Sequence, residues 1–211
     1  AEAPGVISMF SEIAPSVVKV SDEFSYGTGW VLDANHVLTN WHVVDFMSEP
    51  ITMETYDGQL LYGTVIATEE FDDIAVIRLD QPTSLTPLPL ASSPVATGDP
   101  VFYIGHPGTI GDWITGVGVV TEPDEFLPEF VRSTLPTDQG ASGSAMMNLQ
   151  GEVVALISGC MDFADQSERL IGDGNTLYSA SPAPDISDSC GGTEITKVRA
   201  FAEQAIASVE G

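Results

Sequence analysis

Residues 27–44 read GTGWVLDANHVLTNWHVV, and the order of residue types in this stretch decides the fold class. Two strand-length runs rich in β-branched and aromatic residues are separated by a short polar step, Asp33 to Asn35. Apolar runs this short, punctuated by Gly, Asn and Asp, predict strands joined by turns. The pattern continues outward in both directions: SVVKV precedes it, and LLYGTVIAT, DIAVIRL, VFYIG, GVGVV, FVRSTL, GEVVALIS and TLYSAS follow. Many strands of roughly four to eight residues at close spacing predict an all-β barrel or sandwich.

Residues 81–100, QPTSLTPLPLASSPVATGDP, break the rhythm with Pro, Ser and Thr. They read as the connection between two β subdomains, residues 15–86 and 101–187, with the linker itself at 87–100. Residues 1–14 predict a short N-terminal helix or arm, stopped by Pro15. From Thr193 to Val209, Ile195, Val198, Phe201, Ala202 and Ile206 recur at helical spacing, so residues 188–211 predict a C-terminal helix on the second subdomain.

A chain of 211 residues suffices for one globular unit of two packed subdomains. Apolar residues make up 43% of it, yet no apolar run approaches the ~18 residues of a bilayer span, so membrane insertion is not expected. Thirty-one acidic residues face six Lys and Arg, a net charge of −25. That field repels phosphate backbones and argues against a nucleic-acid partner. It also repels itself, a cost that counter-ions screen as the Debye length falls to about 3 Å at 1 M salt. A saline habitat and an ordinary acidic secreted protein both fit. Cys160 and Cys190 are the only cysteines; one disulfide and two unpaired thiols are both compatible with that count. No CxxC and no Cys–His cluster is present, so no metal site is expected. The opening AEAPG lacks a basic segment and an apolar core, and any secretory leader is expected to have been removed.

With three histidines in the chain, the search for a general base is short. His42 stands where a strand-like run ends. His36 lies in the DANH turn and is expected to be exposed, and His106, between Gly105 and Pro107, reads as structural. A carboxylate that fixes the imidazole tautomer is needed next; Asp73, directly before the apolar run IAVIRL, suits it, with Asp72 as its neighbouring rival. In a strand the two would face opposite ways, so only one can serve. The nucleophile is Ser142, within TDQGASGSAMMN at residues 137–148. Gly140 allows the turn that aims its own N–H and that of Ser142 at a developing oxyanion. Ser144 lacks a glycine at that offset. GxSG alone is a weak signal; the conjunction of TNWHVV, DIAVI and GASGS in the order His, Asp, Ser is what carries weight.

Those blocks resemble the bacterial branch of the chymotrypsin-like serine peptidases, above all the HtrA/Deg family, from about Ile7 to Pro184. SMFSEIAPSVVKV looks like its opening helix and first strand, GTGWVLDANHVLTNWHVVD like its histidine block, DDIAVIRLD like its aspartate block, and VFYIGHPG like the start of its second barrel. The resemblance implies two six-stranded antiparallel β-barrels with the triad in the cleft between them. It implies a serine endopeptidase without metal or cofactor, secreted or periplasmic, acting on polypeptides that include unfolded proteins. His42 would be general base, Asp73 its orienting partner and Ser142 the nucleophile, with the Gly140 and Ser142 amides as oxyanion hole.

GASGSA departs from the family's GNSGGP and is closer in its second half to the GNSGSP of glutamyl endopeptidases. Ala141 stands where trypsin-like zymogens keep a buried Asp, so activation by an inserted N-terminus is not expected. No PDZ domain is expected in the residues after the C-terminal helix. By family alignment Thr137, Ile157 and Ala180 line the substrate pocket. Glutamyl endopeptidases place a histidine at the position of Ile157 and trypsins an acid at that of Pro136, so a small-to-medium apolar residue is expected on the acyl side of the cut. A latent or non-enzymatic protein-binding module on the same fold is the alternative. HtrA-like proteases are commonly trimers joined through their N-terminal segment; Met9 and Phe10 would suit such a contact or would pack on their own barrel, giving a trimer or a monomer.

Overall fold

The computed structural model describes residues 3–108, 110–123, 125–160, 177–179 and 190–210. Helix α1 (Ala3–Ile13) and a 3-10 turn (Ala14–Ser16) lead into six strands: β1 (Val17–Ser21), β2 (Tyr26–Val31), β3 (His36–Thr39), β4 (Ile51–Thr55), β5 (Leu60–Glu69) and β6 (Ile74–Leu79). They close into a barrel in the order β1-β2-β3-β6-β5-β4, sealed by β4 pairing back on β1 with Val18 opposite Thr55. The strand-like run through His42 stops at Thr39; residues Trp41–Val44 instead form one helical turn, α2, with Asn40 at its N-terminal boundary.

Side-chain alternation divides this barrel between two cores. Ala75, Ile77 and Leu79 of β6 point inward, where Val18, Val20, Val37 and Met53 meet them. Ile74 and Val76, with Leu38, Val17 and Trp30, face the second half of the chain and join its core. Burial on both faces makes IAVIRL an almost unbroken apolar run.

The second half contains β7 (Pro100–Gly105), β8 (Ile114–Val119), β9 (Phe130–Ser133), β10 (Ala145–Asn148), β11 (Val153–Cys160), β12 (Leu177–Ser179) and β13 (Cys190–Glu194). Their order is β12-β8-β7-β10-β11-β13-β9. The mostly-strand, two-lobed architecture expected from the sequence is present, but among the described residues the second lobe is a seven-stranded half-barrel and not a closed six-stranded one. Its rim is stitched where Val120 bridges Ser133, and β12 adds to β8 in parallel, against the antiparallel expectation. β13 falls within residues 188–211, so the C-terminal helix α3 is confined to Ile195–Glu210. Its buried stripe is Ile195, Val198, Ala202 and Ala205, with Ile206 only half-buried. α3 packs on β11 and β13 and also reaches β5 and β6 of the first barrel.

Met9 and Phe10 pack against this chain's own core, and Phe10 meets Tyr56 edge-on at 5.8 Å. β11 and β13 pair with Cys160 directly opposite Cys190.

Candidate active site

Asn40 follows β3 in an extended conformation and starts α2, which carries His42 out of the sheet. The Asp73 carboxylate then grips His42 twice: Oδ1 accepts the His42 backbone N–H at 3.0 Å, and Oδ2 lies 2.6 Å from Nδ1. An ionised carboxylate only accepts, so Nδ1 carries a ring proton, an arrangement that in a neutral imidazole leaves the lone pair on Nε2. Asp73 is held in turn. Its φ is +55°, a left-handed conformation uncommon outside glycine, though Asp and Asn tolerate it best. Asn40 Nδ2 donates to its carbonyl at 2.7 Å, and the Thr193 hydroxyl donates to the carbonyl of Asp72 at 2.7 Å.

Asp72 looks the other way, to Lys197 Nζ of α3 at 2.7 Å; Glu129 shares that ammonium, and both carboxylates push the Lys197 pKa up. The two aspartates thus have separate partners, as expected, but for a different reason. They sit in a turn in which Asp73 alone of the two takes positive φ, not in an alternating strand.

Ser142 lies in the turn between Leu135 and β10. Backbone contacts fix that turn: the Thr28 N–H donates to Ser142 O (2.8 Å), the Gly143 N–H to Ile157 O (2.8 Å) and the Ile157 N–H to Ser144 O (2.9 Å). The His42 turn and the Ser142 turn meet across Gly27, where a Cβ would strike the Val43 side chain and crowd Ser142 O. The Ser142 hydroxyl donates to Ser158 O at 3.3 Å, and among the described residues no hydrogen bond joins it to His42. Gly140 takes φ +97°. Neither its N–H nor that of Ser142 has an acceptor among the described residues, leaving two donors free beside the hydroxyl. Ser144 is buried and cannot compete.

His106 is fully buried and structural in its contacts, as expected. His36 is not exposed as expected: it is 2% accessible, because it opens β3 and its Nδ1 is held by both oxygens of Asp33 at 2.9 Å. Thr137 and Ile157 are buried, and Ala180 lies outside the described residues. A cavity of about 350 Å³ opens beside Asp73 and Ser158, with Phe71, Phe126 and Leu127 among its walls.

Residues 27–156 match the trypsin-like peptidase domain family, well over half of the chain. The chain belongs to that family. Similar curated proteins of the trypsin-like peptidase family include the probable periplasmic serine protease do/HhoA-like of Haemophilus influenzae, 31% identical over 139 residues, covering 62% of this chain and 30% of the relative. The periplasmic serine endoprotease DegP of Salmonella typhimurium is 32% identical over 139 residues, covering 62% and 29%. This trypsin-like chain thus spans about three tenths of the length of those relatives. Among solved structures, the serine endoprotease from Yersinia pestis superposes with a TM-score of 0.75 at 20% identity, covering 96% of this chain and 66% of that one. The Rv3671c protease of M. tuberculosis in its inactive form gives 0.71 at 22% identity, covering 97% and 96%. Both likenesses concern the fold.

Sequence reasoning missed Tyr26, Thr28 and Ser158. Tyr26 and Thr28 stand two apart on β2, hence on one face, which is the only signal the sequence offers. No helix among the described residues is long and apolar enough to cross a membrane.

Proposed function

We propose that this chain is a serine endopeptidase in which Ser142 attacks the scissile carbonyl, His42 Nε2 takes its proton and returns it to the leaving amine, and Asp73 holds the imidazole in the working tautomer. The Gly140 and Ser142 amides receive the oxyanion. The double grip of Asp73 on His42, beside a serine flanked by two unused amides, is the observation that carries this reading. Attack requires the Ser142 hydroxyl to leave Ser158 O for His42; such hydrogen bonds commonly tighten only when substrate arrives. A second reading, a latent peptidase or a binder, draws on that same Ser142–Ser158 contact. A fluorophosphonate probe decides: labelling of the free protein supports the active enzyme, and no labelling supports the latent one. The names of its relatives support a periplasmic or secreted location and polypeptide substrates.

On specificity, no charged side chain stands at Pro136, Thr137 or Ile157, which supports acceptance of a small-to-medium apolar residue on the acyl side, because a charged one would be left unpaired there. A peptide-library digest is expected to show cuts after such residues. A digest dominated by Glu, Asp, Lys or Arg overturns this.

The facing positions of Cys160 and Cys190 support a disulfide, closing a loop of about 30 residues that stabilises by ~3 to 4 kcal/mol on the loop-entropy account. The charge of −25 supports stability that rises with salt. Unfolding curves across a salt series, with and without reductant, check both: the midpoint climbs toward molar salt and drops on reduction. Curves indifferent to salt or to reductant remove the corresponding claim.

A further inference from the structure

The geometry points to Tyr26 as a positioning residue for the oxyanion-stabilising amide: its ring, seated against Gly108 and Gly140, keeps the Gln139–Gly140 peptide turned with its N–H toward Ser142. This rests on the peptidase reading above.

A trans peptide is planar, with its C=O and N–H pointing in opposite directions. Fixing the Gln139 carbonyl therefore fixes where the Gly140 N–H points. That carbonyl accepts the Gly108 N–H at 2.8 Å and, more weakly, the Tyr26 hydroxyl at 3.4 Å. A half-turn of this peptide would place the carbonyl oxygen, a negative partial charge, where the oxyanion must form. The ring opposes that turn by occupancy. A Cβ on Gly108 would collide with the Tyr26 hydroxyl, and a Cβ on Gly140 would collide with the edge of the ring, so the aromatic wedge touches both glycines.

The next peptide is pinned from the same strand face. Thr28, two residues along β2, donates its hydroxyl proton to the Gly140 carbonyl at 2.8 Å. With that proton committed, its oxygen accepts from the His106 N–H (3.1 Å) and from His106 Nδ1 (3.0 Å), which places the ring proton on Nδ1. Burial pushes the His106 pKa down to about 3, so the imidazole is neutral and the Thr28 arrangement persists at neutral pH. Thr28 and His106 are wholly enclosed. Tyr26 is 38% exposed, so it can be altered without opening the core. The first barrel thereby sets the conformation of a loop in the second.

The test compares wild type, Tyr26→Ala, Tyr26→Phe and Gly108→Ala, using fluorophosphonate labelling rates and kcat and KM on the peptide that wild type cleaves best. Losing one oxyanion donor costs about 10²- to 10³-fold in kcat; a loosened donor is expected to cost roughly tenfold to a hundredfold. Tyr26→Ala should show that loss with KM within about twofold and an unchanged melting temperature. Tyr26→Phe, which keeps the wedge, should recover most of it. Gly108→Ala retains the Gly108-position N–H but evicts the ring, and should match Tyr26→Ala even if the latter folds poorly. Wild-type kcat in Tyr26→Ala or Gly108→Ala, a loss residing in KM, or a Tyr26→Phe as slow as Tyr26→Ala overturns the inference while leaving the peptidase standing. A wild type that neither labels nor cleaves ends both.

Discussion

Replacing Ser142 with alanine is expected to lower kcat by about 10⁴- to 10⁶-fold and to abolish fluorophosphonate labelling, with the melting temperature nearly unchanged. The asymmetry follows from how the residue is held. Its hydroxyl makes one long contact, 3.3 Å to Ser158 O, so truncation removes a weak hydrogen bond and a single oxygen. The turn itself depends on main-chain bonds from Thr28, Gly143 and Ile157 that alanine preserves. What remains is the background supplied by the free amides and by substrate binding. Ser144 cannot substitute, because its hydroxyl is buried against Gly105. Retained labelling in the alanine variant would remove Ser142 from the mechanism.

Asp73→Asn is expected to cost about 10⁴-fold in kcat, the typical penalty for the wrong tautomer in such a triad. The carboxylate accepts from both the backbone N–H and Nδ1 of His42. An amide in its place can donate to Nδ1, which moves the ring proton to Nε2 and blocks the atom that receives the Ser142 proton in the proposed mechanism. Folding should survive, since Asn tolerates the +55° φ and the Asn40 bond goes to the main-chain carbonyl. Asp72→Asn is the control. That carboxylate is spent on Lys197, so kcat should stay within a few-fold of wild type. Steady-state kinetics of the two variants check the assignment; a larger loss at Asp72 than at Asp73 reverses it.

Much of the architecture was legible because strand faces are written into the chain with a period of two. GTGWVLD, HVLT and IAVIRL could be read as strands from composition and punctuation alone. β13 was not, because CGGTE offers two glycines in place of an apolar alternation; its strand character comes from pairing with β9 and β11 on either side. α2 was hidden inside an apolar run, and only Asn40, held extended by its bond to Asp73 O, marks where strand gives way to helical turn. His36 looked exposed because DAN reads as a surface turn, whereas the imidazole folds back under Asp33.

The sequence by itself determined the chemical inventory and its order: a rare histidine, an aspartate abutting an apolar strand and a serine behind a glycine, each in a segment whose local pattern announces a strand or a turn. Only the tertiary structure decided which atoms those groups face. It turned Asp73 to His42 and Asp72 to Lys197, rested the Ser142 hydroxyl on Ser158 O, laid β12 parallel to β8, and brought Tyr26 and Thr28 of one barrel onto the Gly140 turn of the other. The physical reason is range: side-chain alternation and turn propensity act over a few residues, whereas register, closure and the sharing of a single proton among acceptors depend on segments more than a hundred positions apart, such as Thr28 and Gly140.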